Sequence, residues 1–285
     1  MSRTRRITTR NATFQQWQAL LANRTKRHRA GEFVVQGVRP ITLAVEHGWS
    51  IHAMLQSDGQ RLSSWGRDLL ELTDQAPRFL LTAELMGELG GKDEETPELL
   101  AVVGIPADDL GRIPVTPDML TVVFDRPASP ANVGALARSA DAFGASGLII
   151  TGHAADPYDP KAVRASTGSL FALPVVVAPS HREVLEWATA VRDKGVEVEV
   201  LGTDEDGDVE LPACDLTGPA IVAIGNETRG LSNAWREAAD RTLRIPIGGA
   251  ASSLNASAAG TVVLYEAARQ RGDTRRRTAG ATVEG

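Results

Sequence analysis

Short apolar runs alternate with helical patterns through the C-terminal half of the chain, and this alternation most constrains the fold. The runs cover residues 120–125, 147–151, 173–177, 196–202, 220–225 and 242–247. Helices are predicted between and after them, at about 132–143, 181–194, 231–240 and 253–270. Strands that are apolar along their whole length are typical of a parallel sheet buried on both faces. The sequence therefore predicts an α/β domain over residues 119–271.

A smaller set of the same patterns precedes this domain. Strands are predicted at 33–35, 51–55 and 99–105, and helices at 62–72 and 82–89. These elements predict a small α/β domain over residues 1–105. Pro106, Pro114 and Pro117 then interrupt the pattern, because proline lacks the N–H donor that regular structure needs. We place a linker at residues 106–118 and a flexible tail at residues 272–285.

Composition narrows the functional classes. Cys214 is the single cysteine, so no disulfide or cysteine metal cluster forms within the chain. The five histidines are scattered without metal-ligand spacing, and no metal is expected. The sequence has no apolar leader and no run of about 18 apolar residues, which a membrane helix would need. The expectation is a cytoplasmic protein without a membrane or metal partner.

Basic residues concentrate at the N-terminus although the net charge of the chain is −6. Residues 1–30 contain no Asp or Glu, and their cations are Arg3, Arg5, Arg6, Arg10, Arg24, Lys26, Arg27 and Arg29. Screening limits each charge to roughly 8–10 Å, so a local basic arm can bind phosphate even on an acidic protein. Arginines also cluster within residues 269–277. For both ends the alternative to RNA contact is a solubilising, partly disordered segment.

Three segments with glycine and asparagine lie where predicted strands end. They are residues 132–144 with Arg138, residues 224–232 with Glu227, and residues 245–257 with Asn255. In parallel sheets, ligands bind at strand ends of this kind. Each segment also has an ordinary structural interpretation. Asn132 can cap a helix, Arg138 can be a surface arginine, Glu227 can cap a helix or form an ion pair, and the third segment can be a linker.

In this order and at this spacing, the three segments resemble the motifs of the SpoU/TrmH branch of the SPOUT methyltransferases. Residues 164–171 are similar to the family's intervening segment, and residues 26–37 resemble the L30e-like RNA-binding domain attached to many ribosomal RNA members. The resemblance covers nearly the whole chain. Within the family, the chain most resembles the actinobacterial antibiotic-resistance ribosomal methyltransferases of the avilamycin and thiostrepton types.

The resemblance implies a reaction and an architecture. The reaction is transfer of a methyl group from S-adenosylmethionine to a ribose 2′-hydroxyl of RNA. Large-subunit ribosomal RNA is the expected substrate, and resistance to a ribosome-targeting antibiotic is a role to test. The architecture is a SPOUT fold, an α/β fold with a trefoil-knotted parallel sheet, preceded by a small L30e-like α/β domain. The resemblance also implies a homodimer with its active site near the subunit interface.

Site residues follow from the same resemblance. The expected catalytic residues are Arg138, Asn132, Glu227 and Asn255. We interpret Arg138 as a clamp for a phosphate and the developing alkoxide, because a guanidinium stays protonated. The hydroxyl proton would leave through phosphate, Glu227 or water. The expected cofactor-binding residues are Leu201, Gly202, Thr203, Ile224, Gly225, Asn226, Ile245, Ile247, Ser253, Leu254 and Asn255. Arg164 joins the basic arm as an expected RNA contact.

Three other functions remain open at this point. A transfer RNA 2′-O-methyltransferase would use the same site on a different RNA. A catalytically idle RNA-binding or ribosome-assembly protein would keep the fold, but it would not need Asn132, Arg138, Glu227 and Asn255 together. A nucleotide-dependent enzyme acting on small molecules is disfavoured, because no G-x-G-x-x-G fingerprint follows the first strand.

Overall fold

The computed structural model describes residues 4–91 and 96–281, with side chains as far as residue 272. Packing divides the chain into two compact units, Met1–Ala107 with Asp156–Ala172, and Asp108–Ala155 with Leu173–Gly285. The sequence placed residues 156–172 in the second domain, whereas the structure packs them with the first unit. Tyr158 and Phe171 lie against Phe33 there, with ring centroids 4.9 and 6.1 Å away, so aromatic packing accounts for the difference.

The first unit is built on a five-stranded mixed sheet. Its strands are β1 (Arg5–Ile7), β2 (Glu32–Gln36), β3 (Ile51–Ser57), β4 (Arg78–Leu81) and β5 (Leu99–Gly104). Its helices are α1 (Ala12–Ala22), α2 (Arg24–Ala30), α3 (Val38–Glu46), α4 (Ser64–Leu72), α5 (Ala83–Gly90), α7 (Pro160–Ser166) and α8 (Ser169–Ala172). The strand order is β1-β4-β3-β5-β2. Strand β4 pairs in parallel with β1 and β3, while β5 is antiparallel to β3 and β2.

Helix α1 shows how the sequence builds this unit. Asn11 caps it by accepting the N–H of Phe14, and Phe14, Trp17 and Leu20 fall on one buried face. That face packs into a core with residues of the sheet such as Leu55. The sequence predicted β2, β3, β5, α4 and α5, and the elements that it missed include β1, β4, α2, α3, α7 and α8. Strand β1 is three residues long and cationic, and β4 has four residues, so both depend on pairing with distant partners.

The second unit is built on a seven-stranded sheet in which every pairing is parallel. Its strands are β6 (Leu120–Asp125), β7 (Gly147–Thr151), β8 (Val175–Ala178), β9 (Glu199–Thr203), β10 (Val209–Glu210), β11 (Ala220–Ile224) and β12 (Arg241–Arg244). Its helices are α6 (Pro130–Ala142), α9 (His181–Arg192), α10 (Asn233–Ala238) and α11 (Ala256–Ala281). Two short 3-10 helices cover Leu110–Arg112 and Leu211–Ala213. The strand order is β10-β12-β9-β11-β6-β7-β8.

The apolar runs of the sequence form the central strands of this sheet, as predicted. Strands β6, β7 and β11 are buried at every position. One face of the sheet forms a core with α9 and α10, which includes Val123, Ile221 and Trp235. Because all strands run the same way, their carboxyl ends lie along one edge of the sheet, where the motif-bearing loops begin.

The described residues contain neither a membrane-spanning helix nor a metal-ligating cluster. Within residues 4–91 and 96–281, no helix combines the length and apolarity needed to cross a membrane. Over the same ranges, no group of three or more His, Cys, Asp or Glu side chains is arranged to hold a metal ion.

Candidate active site

The carboxyl ends of β6 and β11 lie side by side in the second unit, because Phe124 pairs with Ile224 in parallel register. The loop after each strand and the start of α11 converge at this point. Glu227 in the loop after β11 bonds to the loop after β6, and Asn255 just before α11 bonds to Asn132. The structure thus brings together the three segments that the sequence singled out.

A network of polar side chains joins these segments. The side-chain amide of Asn132 donates to Oε1 of Glu227 at 2.9 Å. Oδ1 of Asn132 accepts in turn from Nδ2 of Asn255 at 3.3 Å and from the hydroxyl of Ser257 at 3.5 Å. Ser257 also donates to Oδ1 of Asn255 at 2.7 Å. Three of the four expected catalytic residues therefore form one network, and Ser257 is a member that the sequence analysis missed.

Asn132 is not the N-cap of α6, which was its structural alternative. Ser129 is the N-cap, and its side chain accepts the backbone N–H of Asn132. Pro130 fixes the start of the helix, since proline is favoured at the first helical position. Asn132 consequently lies within the first turn, and its side chain is available to Glu227 and Asn255.

Glu227 is held as a carboxylate. Besides Asn132, it accepts from the backbone N–H groups of Ala128 at 2.9 Å and Ser129 at 3.1 Å. Burial raises the pKa of Glu227, but the hydrogen bonds from Ala128, Asn132 and Ser129 together outweigh it, and the net pKa lies below its ordinary value. A carboxylate stabilised by three donors is a weak proton acceptor. The geometry therefore favours an anchoring role for Glu227 over the proton-transfer route expected as one alternative.

Asp125 and Arg126 form a second connection that the sequence did not reveal. Asp125, 3% exposed, accepts from the guanidinium of Arg126 at 2.8 Å and from the backbone N–H of Ser232 at 3.0 Å. Arg126 has a φ of 49°, which is uncommon for a residue other than glycine. Its carbonyl accepts from Nδ2 of Asn226 at 2.6 Å, which helps to hold that conformation. The sequence signal was only an Asp-Arg pair at the end of an apolar strand.

A cleft of about 650 Å³ opens beside this network, within the roughly 300–1,000 Å³ typical of small-molecule sites. It lies between the loop after β11 and the segment from β12 to α11. The expected cofactor-binding residues that line it are Thr203, Ile224, Gly225, Asn226, Ile245, Ile247, Ser253 and Leu254. Asp204, Glu205 and Glu210 also line it, and they carry negative charge that the sequence analysis did not assign to the site.

Leu201, Gly202 and Asn255 are expected cofactor-binding residues that do not line this cleft. Leu201 is fully buried inside β9, between β11 and β12. Gly202 faces the side chain of Leu231, which a Cβ there would meet at 2.9 Å. Asn255 belongs to the polar network instead. Strand β9 contributes to the cleft only from Thr203, because its earlier residues lie within the sheet.

Arg138, the remaining expected catalytic residue, lies apart from this cluster in its own chain. It is exposed on α6, six residues or about 9 Å along the axis beyond Asn132, and on a different face of the helix. It does not line the cleft. Among the described residues, no side chain or carbonyl accepts a hydrogen bond from it. Within a single chain, none of the hydrogen bonds of Asn132, Glu227 and Asn255 reaches Arg138.

The expected RNA contacts of the first unit differ in their exposure and in their carboxylate partners. Arg27 is 2% exposed and bonds to Asp156 at 2.8 Å, so burial removes it from the expected RNA contacts. Arg6 pairs with Asp58, and Arg10 pairs with Glu84 and Glu88. Arg5, Arg24, Lys26, Arg29 and Arg164 are exposed. Arg3 lies outside the described residues.

A parallel α/β sheet with asparagine- and glycine-bearing loops at its carboxyl edge, following a smaller α/β unit, is the architecture expected of the RNA methyltransferases that the three motifs resemble. Family models agree with this class: the SpoU L30e-like domain matches residues 11–101, and the SpoU rRNA Methylase family matches residues 119–265. The chain belongs to the SpoU rRNA methylase family.

Individual relatives extend over nearly the whole chain. The 23S rRNA (uridine(2479)-2′-O)-methyltransferase of Streptomyces viridochromogenes is 59% identical over 268 residues, 94% of this chain and 93% of that protein. The crystal structure of the SpoU methyltransferase AviRb from the same organism, in complex with the cofactor AdoMet, is 58% identical, covers 92% of this chain and 98% of that one, and has a TM-score of 0.88. An AdoMet-bound rRNA methyltransferase from Sinorhizobium meliloti is 26% identical, covers 93% and 98%, and has a TM-score of 0.83.

These findings confirm the family resemblance and the fold class, an L30e-like domain followed by a SPOUT domain with a parallel sheet. They also confirm that the protein is an RNA methyltransferase.

Proposed function

We propose that this protein transfers the methyl group of S-adenosylmethionine to the 2′-hydroxyl of a uridine in 23S ribosomal RNA. The observation that carries the proposal is the Glu227–Asn132–Asn255 network at the mouth of the cleft, in a chain 59% identical to a 23S rRNA uridine 2′-O-methyltransferase. Coverage of 94% of this chain supports transfer of the relative's activity as a whole.

The cleft suits the chemistry of this cofactor. Ile247 and Leu254 are each 40% exposed at its wall, and such apolar surface favours a ligand with an apolar part. Asp204 and Glu210 pair with Arg236 and Arg244 at the cleft wall, whereas the exposed carboxylate of Glu205 complements the positive charge of a sulfonium. When bound, S-adenosylmethionine supplies an electrophilic methyl group. Ile224, Ile245 and the segment from Ser253 would hold it, largely through apolar contact and backbone groups.

The polar network positions the walls of this cleft. Glu227 fastens the loop after β11 to the start of α6, and Asn255 fastens the start of α11 to Asn132. These residues act on the reaction by fixing the loops that surround both substrates. Positioning of this kind supplies a large part of the barrier reduction in a two-substrate transfer.

Arg138 supplies the positive charge that the reaction needs. A guanidinium is not a base at neutral pH, because its pKa lies above about 12. Its planar fork grips a phosphate and stabilises the negative charge that develops on the 2′-oxygen. The hydroxyl proton leaves to phosphate or water, since Glu227 is already stabilised by three donors.

A homodimer completes the active site in this proposal. Arg138 does not line the cleft of its own chain, so a second copy must bring an arginine to it. Helix α11 supports this arrangement, because Val262 is 37% exposed and Tyr265 is 55% exposed on one side of the helix. A second copy of the chain would cover this apolar stripe.

The first unit delivers the RNA. Its exposed cations Lys26 and Arg29 lie one turn apart on α2, where they are available to phosphates. Because ribosomal RNA is the proposed substrate, we place the protein in the cytoplasm. Methyl transfer in this proposal uses no metal ion. A resistance role is a prediction from the family resemblance, tested by measuring drug susceptibility of a sensitive host that expresses the protein.

Transfer of tritiated methyl groups from S-adenosylmethionine to purified 23S rRNA, 16S rRNA and bulk transfer RNA tests the proposal. We expect label in 23S rRNA alone, and its loss in Arg138→Ala. Arg182→Ala, an exposed arginine of the same unit outside the site, is the matched control. Label in transfer RNA alone, or no label in naked 23S rRNA and in isolated large subunits, would contradict it.

A further inference from the structure

A second cavity, of about 280 Å³, lies in the first unit between α1 and one end of the sheet. It is lined by Arg5, Thr13, Gln16, Trp17, Glu32, His52, Ala53, Pro77, Phe79 and Val102. Of these residues, Arg5 is among the expected RNA contacts. The cavity is near the lower end of the range for ligand sites, so it suits one planar group and its immediate substituents.

The floor of the cavity is aromatic. Trp17 and Phe79 meet edge to face with ring centroids 4.9 Å apart, and both are at least nine-tenths buried. Ala53 and Val102 complete an apolar base. Because little of either ring is exposed, the two rings form an apolar base for a bound group and not a stacking platform.

One wall of the cavity is polar and is formed by His52 and Glu32. Nδ1 of His52 lies 2.7 Å from Oε1 of Glu32, and because an ionised carboxylate only accepts, the imidazole donates. A β-bulge between Ile51 and Ala53 places His52 outside the regular ladder. Gly104 makes room for the ring, since a Cβ there would come within 2.8 Å of Nε2. Bulges commonly re-aim a side chain beside a functional site.

A cation without a protein partner lies at the rim. Arg6 and Arg10 pair with carboxylates, whereas no carboxylate or carbonyl of residues 4–91 and 96–281 accepts a hydrogen bond from Arg5. Residues alternate between the two faces of a strand, so Arg5 shares the face of β1 with the buried Ile7, which packs with Trp17. Arg6 faces the other way, toward Asp58.

We propose that this cavity binds a single unpaired guanine nucleotide of the RNA, with the base between the apolar side of the cavity and the Glu32 carboxylate, and a phosphate on Arg5. The two oxygens of the Glu32 carboxylate accept from N1–H and N2–H of guanine, the two adjacent donors on that base. Adenine, cytosine and uracil have no such pair. This inference rests on the proposed function, because it assumes an RNA substrate, and it assigns the first unit a base-specific contact in addition to its phosphate contacts.

Calorimetric titration of the full-length protein with GMP, AMP, CMP and UMP tests the proposal. We expect GMP to bind about tenfold or more tightly than the other three, the discrimination that two good hydrogen bonds provide. Glu32→Gln should remove the preference, and Arg5→Ala should weaken binding of all four nucleotides. Glu46→Gln and Arg61→Ala, exposed residues of the same unit outside the cavity, should leave binding unchanged.

Absence of saturable GMP binding, equal binding of the four nucleotides, or an unchanged preference in Glu32→Gln would each overturn the inference. Methyl transfer to 23S rRNA is measured on the same wild-type preparation. Active enzyme that does not bind GMP would overturn the nucleotide site and leave the proposed function intact. Inactive enzyme that binds GMP selectively would contradict the proposed function and support the nucleotide site.

Discussion

The side-chain amide of Asn132 donates to the carboxylate of Glu227 across 2.9 Å and so ties the first turn of α6 to the loop after β11. The two residues are 95 positions apart in sequence. Each belongs to a different motif, and neither has an obvious partner within its own segment. Their pairing explains why the two motifs occur together: one supplies the carboxylate and the other supplies the donors around it.

Replacement of Glu227 by glutamine tests this connection. An amide cannot accept from Ala128, Ser129 and Asn132 with the same strength, so we expect the free energy of unfolding to fall by about 1–2 kcal/mol. We expect activity to fall roughly 10–100-fold through misplacement of the loop. Denaturant melts and methyl-transfer rates measure the two effects. Near-wild-type activity in the variant would show that the loop does not need this anchor.

The pH dependence of stability has a defined sign at Glu227. Its folded-state pKa is below its ordinary value, so its contribution is fully present above the unfolded-state pKa of about 4.3. The contribution is lost as the pH falls through the lower, folded-state value. Wild type should therefore lose its advantage over Glu227→Gln as the pH is lowered below about 4. A difference in stability that stays constant from pH 7 to pH 3 would contradict the assignment.

Gly225 should tolerate no side chain. A Cβ there would overlap the backbone of Gly230 and Leu231, and backbone cannot move aside as a flexible side chain can. We expect Gly225→Ala to weaken binding of S-adenosylmethionine in calorimetry by about tenfold or more, since the cleft wall must shift. Gly218→Ala is the matched control, because nothing lies within 4 Å of its Cβ. Equal affinity in both variants would refute the role of the close approach.

Variants of Arg138 and Gly225, combined in one dimer, test whether each active site is built from two subunits. A heterodimer of one Arg138→Ala chain and one Gly225→Ala chain, isolated with two tags, contains one cleft and one arginine that are intact but on different chains. If the arginine serves the partner's cleft, one site in each heterodimer works, and we expect about half of wild-type activity. If Arg138 serves its own chain, the heterodimer has about half of the activity of the Gly225→Ala homodimer, which is itself reduced when S-adenosylmethionine is limiting.

Arg271 should matter for stability and not for RNA. The sequence placed it among the C-terminal arginines as a candidate RNA contact. In the structure its guanidinium donates to the carbonyls of Leu216 at 2.9 Å and Gly218 at 2.6 Å, which fastens α11 to the loop before β11. Arg271→Ala should lower the free energy of unfolding by about 2 kcal/mol. Its control is Arg182→Ala, which removes an exposed arginine on α9.

RNA affinity separates the two interpretations of Arg271. The structural account predicts that the salt dependence of RNA binding in Arg271→Ala stays that of wild type. A slope reduced by about one unit would show that this arginine contacts a phosphate.

The strands of the second unit could be predicted because their information is local. Each apolar run is long enough to mark a strand, and only β10, with two residues, left no such signal. The motif segments could be placed at strand ends for the same reason. The trefoil knot is different, because it concerns how the chain threads, and strand order alone does not determine threading.

What the sequence missed depends on partners far along the chain. Arg27 looked like part of a basic arm, but Asp156, 129 residues later, buries it. Asn132 looked like a helix cap, but Pro130 moved the helix start upstream and left its side chain to Glu227. The bulge at His52 arises only when β3 pairs with β5. None of these relationships has a local signature, so composition and spacing could not reveal them.

Mass spectrometry of nucleosides measures the methylation of a ribose hydroxyl without an intermediate step. 23S rRNA treated with the protein and S-adenosylmethionine would be digested to nucleosides and compared with RNA treated with Arg138→Ala. The account predicts one new 2′-O-methyluridine per 23S rRNA, present with the wild type and absent with the variant. A methyl group on a base, or a product that persists in Arg138→Ala, would contradict it.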